Sequence, residues 1–324
     1  MNIEMIRAAA ERLDGHVRRT PFLSSPFLDE IAGRRVFVKA ENLQHTGSFK
    51  FRGGWSAVSA LTEDQKKQGV IAFSSGNHAQ GVAAAAAAHD VPAVIVMPAD
   101  APAVKIENTR ALGAEVVLYD RAGGESREAA SQPFVEDRGM TLVRPYDEPL
   151  VIAGQGTTGL EIAEQANEAG ISQADVLVCA GGAGLSAGIA LALEETAPGF
   201  KVRTCEPEGF DDVRISLEAG EITPHGSAPK GLCDAILTPE PGELTFPILK
   251  RIAGAGIAVT DEEVKRAMAL AFNRLKIVLE PGGAVSLAAA LFHQDALTMD
   301  TVIAVTTGGN VDPALFADVL RTYG

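Results

Sequence analysis

Short apolar runs alternate with helix-like stretches along the chain, and this alternation limits its fold more than any other feature. Runs at 70–73, 93–97 and 115–119 precede helical patterns near 77–89, 102–112 and 124–138. A second series places strands at 175–180, 201–205 and 301–307. Strands separated by crossover helices join in parallel, so the expected class is α/β: two open, twisted αβα domains with mostly parallel sheets. Local signals agree. Thr62 with Gln65 and Thr260 with Glu263 have capping-box spacing. Val264, Met268, Ala271 and Leu275 give the later helix one apolar face, and Pro133 is expected to break or kink the helix that contains it.

Composition narrows the class. The 324 residues, 46% hydrophobic, suffice for a large core in one or two domains. A formal net charge of −14, with no basic stripe, argues against a nucleic-acid partner. No apolar run reaches the ~20 residues of a membrane helix. The N-terminus reads as an amphipathic helix rather than a signal peptide. Cys179, Cys205 and Cys233 are far apart in apolar contexts, as expected of buried, reduced thiols in a cytoplasmic protein.

Chemistry enters with Lys50, set between Phe49 and Phe51 in Ser48-Phe49-Lys50-Phe51-Arg52-Gly53. Desolvation lowers an ammonium pKa and makes the neutral amine available for a Schiff base. Two strand–small-residue loop–helix units accompany it: Ser74-Ser75-Gly76-Asn77-His78, and Gly181-Gly182-Ala183-Gly184. Such loops aim free N–H groups at an anion. A reactive lysine with two anion sites suits an aldehyde cofactor bearing a phosphate and a substrate bearing a carboxylate. A different class also fits part of the pattern. Gly182-x-Gly184-x-x-Ala187 follows a strand, and Glu206 ends the next strand 24 residues after Gly182, as in a nicotinamide-dinucleotide oxidoreductase. That reading leaves Lys50 and the Ser74–His78 loop unexplained.

The motifs SFKFRG, SSGNHAQG, VIAGQGT (151–157), GGAGL (181–185), CEP (205–207), LEPGGA (279–284) and TTGGNVD (306–312) occur in this order. Together they resemble the fold-type II pyridoxal-phosphate enzymes of tryptophan synthase β-like architecture, in the threonine/serine dehydratase and serine racemase branch. The resemblance implies a large cofactor domain, 1–68 plus 148–324, with a small mobile domain, 69–147, inserted. It also implies a homodimer acting on a small amino acid.

Residue roles follow from the resemblance. Lys50 would carry the cofactor and then act as base at Cα, with Phe49 on one face of the ring. Gly181, Gly182, Ala183, Gly184 and Leu185 would cradle the phosphate. Ala183 stands where the family has glycine, and an ordinary backbone is expected there. Asn77 would bond the phenolic oxygen, Glu280 would sit near the ring, and Thr307 would face the pyridine nitrogen. Ser74, Ser75, Gly76, Asn77 and His78 would hold the substrate carboxylate, and Ser75 would reprotonate Cα from the other face. Glu206, the Phe210 carbonyl and Asp212 match a Mg²⁺ or Ca²⁺ site. Arg144 and Tyr146 border the substrate in the family, and an arginine there suits a second carboxylate. His45, just before the lysine loop, is a similar departure.

The expected activity is a pyridoxal-phosphate ammonia-lyase, with serine or threonine as substrate. Alternatives are 3-hydroxyaspartate elimination and serine racemisation. A β-replacement enzyme shares the fold but has a different carboxylate loop. No isoleucine-binding regulatory domain is expected, since the sequence ends at Gly324.

Overall fold

A computed structural model describes residues 1–74, 76–101, 103–120, 123–224 and 231–324. Among them the apolar runs separate into two sheets. The strands are β1 Phe22–Ser24, β2 Arg35–Ala40, β3 Val70–Phe73, β4 Ala93–Pro98, β5 Glu115–Tyr119, β6 Thr141–Leu142, β7 Ala174–Cys179, β8 Phe200–Pro207, β9 Ile257–Val259 and β10 Thr301–Thr306. The larger sheet has the order β1-β2-β10-β7-β8-β9, and the smaller β5-β4-β3-β6. Every pairing between these strands is parallel except β1 with β2. Each residue of β7 and β10 is buried, as parallel strands covered on both faces require.

Both capping boxes form, on helices Glu63–Gln68 and Asp261–Leu270. The latter runs into a π-turn, Ala271–Leu275, closed by Lys276 at φ 61°. Val264, Met268 and Ala271 are fully buried, and Leu275 packs at their margin. Pro133 does not break its helix, which runs from Arg127 to Glu136. That helix starts later than the pattern suggested, because Ser126 accepts the Ala129 N–H at 3.0 Å and caps it there.

Strands β1, β2, β6 and β9 have no counterpart in the sequence expectation. β2 is obscured by charge: Arg35 and Lys39 interrupt a strand whose last three residues are all buried. Lys39 Nζ is satisfied by Thr20 O at 2.9 Å, Gln165 Oε1 at 2.8 Å and Glu161 Oε2 at 2.5 Å. Arg52, also fully buried, donates through Nε to Glu41 Oε2 at 2.8 Å and through Nη1 to Glu161 Oε1 at 2.7 Å. This ion network fixes helix Lys50–Ser59 between β2 and helix Pro149–Glu168. The glycines of VIAGQGT serve contact between helices. A β-carbon on Gly156 would lie 2.9 Å from the Gly188 carbonyl of helix Gly184–Thr196.

Candidate active site

Three chain segments are knitted together around Lys50 by backbone bonds. Phe49 N–H donates to Thr307 O at 3.2 Å, and Gly309 N–H to Gly47 O at 2.9 Å. Glu280 N–H donates to Gly308 O at 3.0 Å, and Thr307 N–H to Gly283 O at 3.3 Å. The lysine loop, the end of β10 and the start of helix Pro281–Phe292 therefore form one frame. Thr46, at φ 60°, turns the chain into that frame. A β-branched residue in left-handed backbone is strained, a condition found mostly at functional sites.

Lys50 opens helix Lys50–Ser59. Its stem is partly exposed, but the amine is enclosed, and burial pulls its pKa down to about 8. Nζ donates to Pro145 O at 2.7 Å and lies 5.1 Å from the Phe49 ring centre. Thr307 is buried, with its hydroxyl in hydrogen-bond contact with the Cys179 thiol. All three cysteines are buried and unpaired.

Asn77 begins helix Asn77–Ala88 and donates through Nδ2 to Glu280 Oε1 at 2.5 Å. Asn310 Nδ2 donates to Asn77 Oδ1 at 2.7 Å and to Thr46 O at 2.8 Å. The burial of Glu280 pushes its pKa up to about 7. The Oε1 atom crowds Gly308, where any side chain would collide with it.

Gly181–Ala183 leads from β7 into helix Gly184–Thr196. Ala183 has φ 64° and ψ 19°, so the backbone there is left-handed, contrary to the ordinary conformation expected. The helix must start immediately after the loop, and the reversal at Ala183 allows it. Buried polar atoms without partners flank the loop: Thr238 Oγ1 beside Gly181, and both amide atoms of Gln155 beside Gly184. A β-carbon on Gly182 would run into the Tyr146 ring, which covers the loop. A cradle of amides with orphaned donors around it fits a phosphate.

The second anion loop is partly described, since Ser75 lies outside the described residues. Ser74 Oγ accepts the Gly76 N–H at 3.2 Å, and the space where a Gly76 side chain would stand is open. Gly76 caps helix Asn77–Ala88, so the first-turn amides face that opening. His78 is buried, with Nε2 2.9 Å from Val143 O, which can only accept. Burial and nearby Lys50 push the imidazole down to about 3, so it is neutral and holds its proton on Nε2.

Glu206 and Asp212 are fully buried and Phe210 nearly so, so they do not form an exposed acidic loop. Among the described residues, neither Asp212 oxygen has a hydrogen-bond partner. Glu206 instead accepts the Val213 and Arg214 N–H groups, each at 2.8 Å, at the start of helix Asp212–Ala219. Glu206 is thus buried and bonded into its own loop, unlike the cleft-facing acid that the dinucleotide reading requires. Among the described residues no three His, Cys, Asp or Glu side chains group as metal ligands. The expected site rests on two carboxylates and one carbonyl, a donor set of the kind hard cations accept.

Arg144, exposed, lines a cavity of about 730 Å³ together with Arg127, Tyr146 and Phe73. Arg127 stacks over Phe73 and donates to Glu128 Oε1 at 2.8 Å. Arg144 makes no hydrogen bond or ion pair among the described residues; its charge acts on Glu148, favouring the carboxylate against the burial that raises its pKa. The cavity does not include Lys50 among its walls but reaches Pro145, whose carbonyl holds the amine. His45 sits apart from these groups, its ring 5.0 Å from that of Phe51.

Sequence reasoning missed Asn310, Gln155, Thr238, Arg127 and the Lys39–Arg52 ion network. The GGN after Thr307 and the glutamine between two glycines in VIAGQGT were signals for the first two. Thr238 and Arg127 carried none, since only folding brings them to the site.

Comparisons with known proteins agree with this geometry. A family described as pyridoxal-phosphate dependent enzyme matches residues 13–308. An L-threo-3-hydroxyaspartate ammonia-lyase from a Pseudomonas species is 43% identical over 313 residues, 97% of this chain and 96% of that protein. A solved threonine deaminase from T.th. is 43% identical with a TM-score of 0.90, covering 96% of this chain and 99% of that one. The solved serine racemase of Dictyostelium discoideum is 36% identical with a TM-score of 0.89, at 96% and 99% coverage.

Proposed function

Because the chain belongs to the pyridoxal-phosphate dependent enzyme family, we propose that it eliminates water from a β-hydroxy-α-amino acid to give an enamine, which tautomerises and takes the water back on hydrolysis to a 2-oxo acid and ammonia, and that its preferred substrate is 3-hydroxyaspartate. When bound, pyridoxal phosphate supplies an electron sink for the carbanion at Cα. Lys50 holds the cofactor and, as a free amine of lowered pKa, accepts the Cα proton. With the cofactor bound, the glycine-loop amides would hold its phosphate, Asn77 and Glu280 would border its ring, and Thr307 would offer the pyridine nitrogen a neutral hydroxyl. Ser74, Gly76 and the first amides of helix Asn77–Ala88 hold the α-carboxylate, and His78 keeps the Val143–Pro145 strap in place through Val143 O. Ser75 serves reprotonation from the opposite face, so Ser75→Ala should suppress racemisation while part of the elimination survives.

The observation that carries the substrate choice is Arg144, a guanidinium without a partner among the described residues, one position before the carbonyl that holds the Lys50 amine. A bidentate arginine suits the second carboxylate of a dicarboxylic substrate. Serine or threonine is the second reading, favoured by the 43% identity to a threonine deaminase. Arg144→Met should lower kcat/KM for 3-hydroxyaspartate by ~2–4 kcal/mol and leave serine and threonine nearly unchanged. Equal effects on all three substrates would make Arg144 structural and leave the serine or threonine reading standing. Glu206, Phe210 O and Asp212 form a proposed Mg²⁺ or Ca²⁺ site beside this chemistry.

A further inference from the structure

Gln155 is a polar side chain without a partner among the described residues, and the proposed chemistry does not use it. It is 1% exposed, yet neither Oε1 nor Nε2 has a hydrogen-bond partner. Leaving a buried amide unpaired costs more than a typical hydrogen bond gains, so such a group marks a missing partner. Its position indicates which. A β-carbon on Gly184 would lie 2.9 Å from Gln155 Oε1, and one on Gly53 would lie 3.1 Å from Gln155 Nε2. The amide therefore sits between the first turn of helix Gly184–Thr196, which the glycine loop enters, and the first turn of helix Lys50–Ser59. The first turn of helix Gly184–Thr196 carries N–H groups without intrahelical partners, whereas at the start of helix Lys50–Ser59 the Phe51 and Arg52 N–H groups are taken by Ser48 O and Phe49 O. An amide that can donate two hydrogens, placed beside the open first turn of helix Gly184–Thr196, would complete an anion site from the side opposite the loop.

We propose that Gln155 is a cofactor-binding residue whose side-chain amide donates to the phosphate group of the cofactor. Oxygen and nitrogen of an amide exchange places by a χ rotation, so either end can present the donor. The proposal rests on the pyridoxal-phosphate reading, and its test keeps the two apart.

The experiment compares apoprotein binding of pyridoxal phosphate with that of pyridoxal, which lacks the phosphate, for wild type, Gln155→Met and Gln155→Glu. Lysine-linked absorbance reports binding. Met keeps the length without a donor, and Glu adds a repelling charge. For Met, pyridoxal phosphate affinity should fall about tenfold, and further for Glu, with pyridoxal affinity unchanged. An equal loss for both ligands would show a packing role and overturn the assignment. A wild type that binds neither ligand would sink the cofactor reading itself. A second measurement needs no variant: a crystal structure of wild-type apoprotein soaked in inorganic phosphate. The amide of Gln155 should lie within hydrogen-bond distance of the anion. Phosphate bound at the loop with Gln155 paired only to water would overturn the proposal even if both variants fail to fold.

Discussion

Asn77 Nδ2 and Glu280 Oε1 meet at 2.5 Å, joining a helix that follows the small sheet to one that packs on the large sheet. The bond closes the site across the two halves of the fold. It also leaves a carboxyl group buried against a neutral partner, and burial outweighs the single bond in setting its pKa.

That imbalance predicts a pH signature in the apoprotein. In the folded chain Glu280 holds its proton up to about pH 7, against 4.5 for an ordinary glutamate. Between those values the folded state binds more protons than the unfolded one, so this group's contribution to stability falls as pH rises and stays low above 7. Glu280→Gln should be about 3 kcal/mol more stable than wild type at pH 8, with the gain absent at pH 4. Urea unfolding at the two pH values checks it. A gain of the same size at both would exclude ionisation as the cause.

Lys50 should link to pyridoxal phosphate with a rate that rises with pH around a midpoint near 8, since the amine there is half neutral. Stopped-flow absorbance measures the rate, and borohydride should fix the cofactor on the peptide containing Lys50. A midpoint near the ordinary 10.5 would show that the amine is not desolvated.

Ala183 occupies left-handed backbone at φ 64°. An L side chain there costs ~1–2 kcal/mol, partly offset because glycine frees the unfolded chain. Ala183→Gly should therefore stabilise the apoprotein by ~0.5–1 kcal/mol in urea. A destabilisation would mean that the methyl packs usefully enough to outweigh the strain.

Arg52→Met should cost ~3–5 kcal/mol, because it strands the Glu41 carboxylate in the interior, whereas Glu161 keeps Lys39 as a partner. Arg52→Lys should recover part of this, since an ammonium supplies the charge without the bidentate fork. Denaturant unfolding of both variants gives the comparison; an unaffected Met variant would mean that water reaches the Glu41 carboxylate.

Mg²⁺ or Ca²⁺ should raise the melting temperature of wild type, and a chelator should reverse it, through the unpaired oxygens of Asp212. Asp212→Asn should abolish the shift. A shift that persists in Asp212→Asn places the cation elsewhere.

Local sequence was enough for the α/β class and for six of the ten strands among the described residues, three in each sheet. These rest on local causes: apolar runs and capping boxes. Motif order carried the family, and with it Asn77, Glu280 and Thr307, which the fold gathers around Lys50. The remaining features needed the folded chain. β2 was hidden because Lys39 is satisfied by Glu161 and Gln165, residues far along the chain that no local pattern connects to it. The left-handed turn at Ala183 follows from where the next helix must begin, not from alanine's preference. Tyr146 covers the glycine loop, and Gln155 reaches its far side, because two helices meet through glycines that allow their backbones to touch. Charge pairing and close backbone approach act between segments distant in sequence, so they become legible only once the chain is folded.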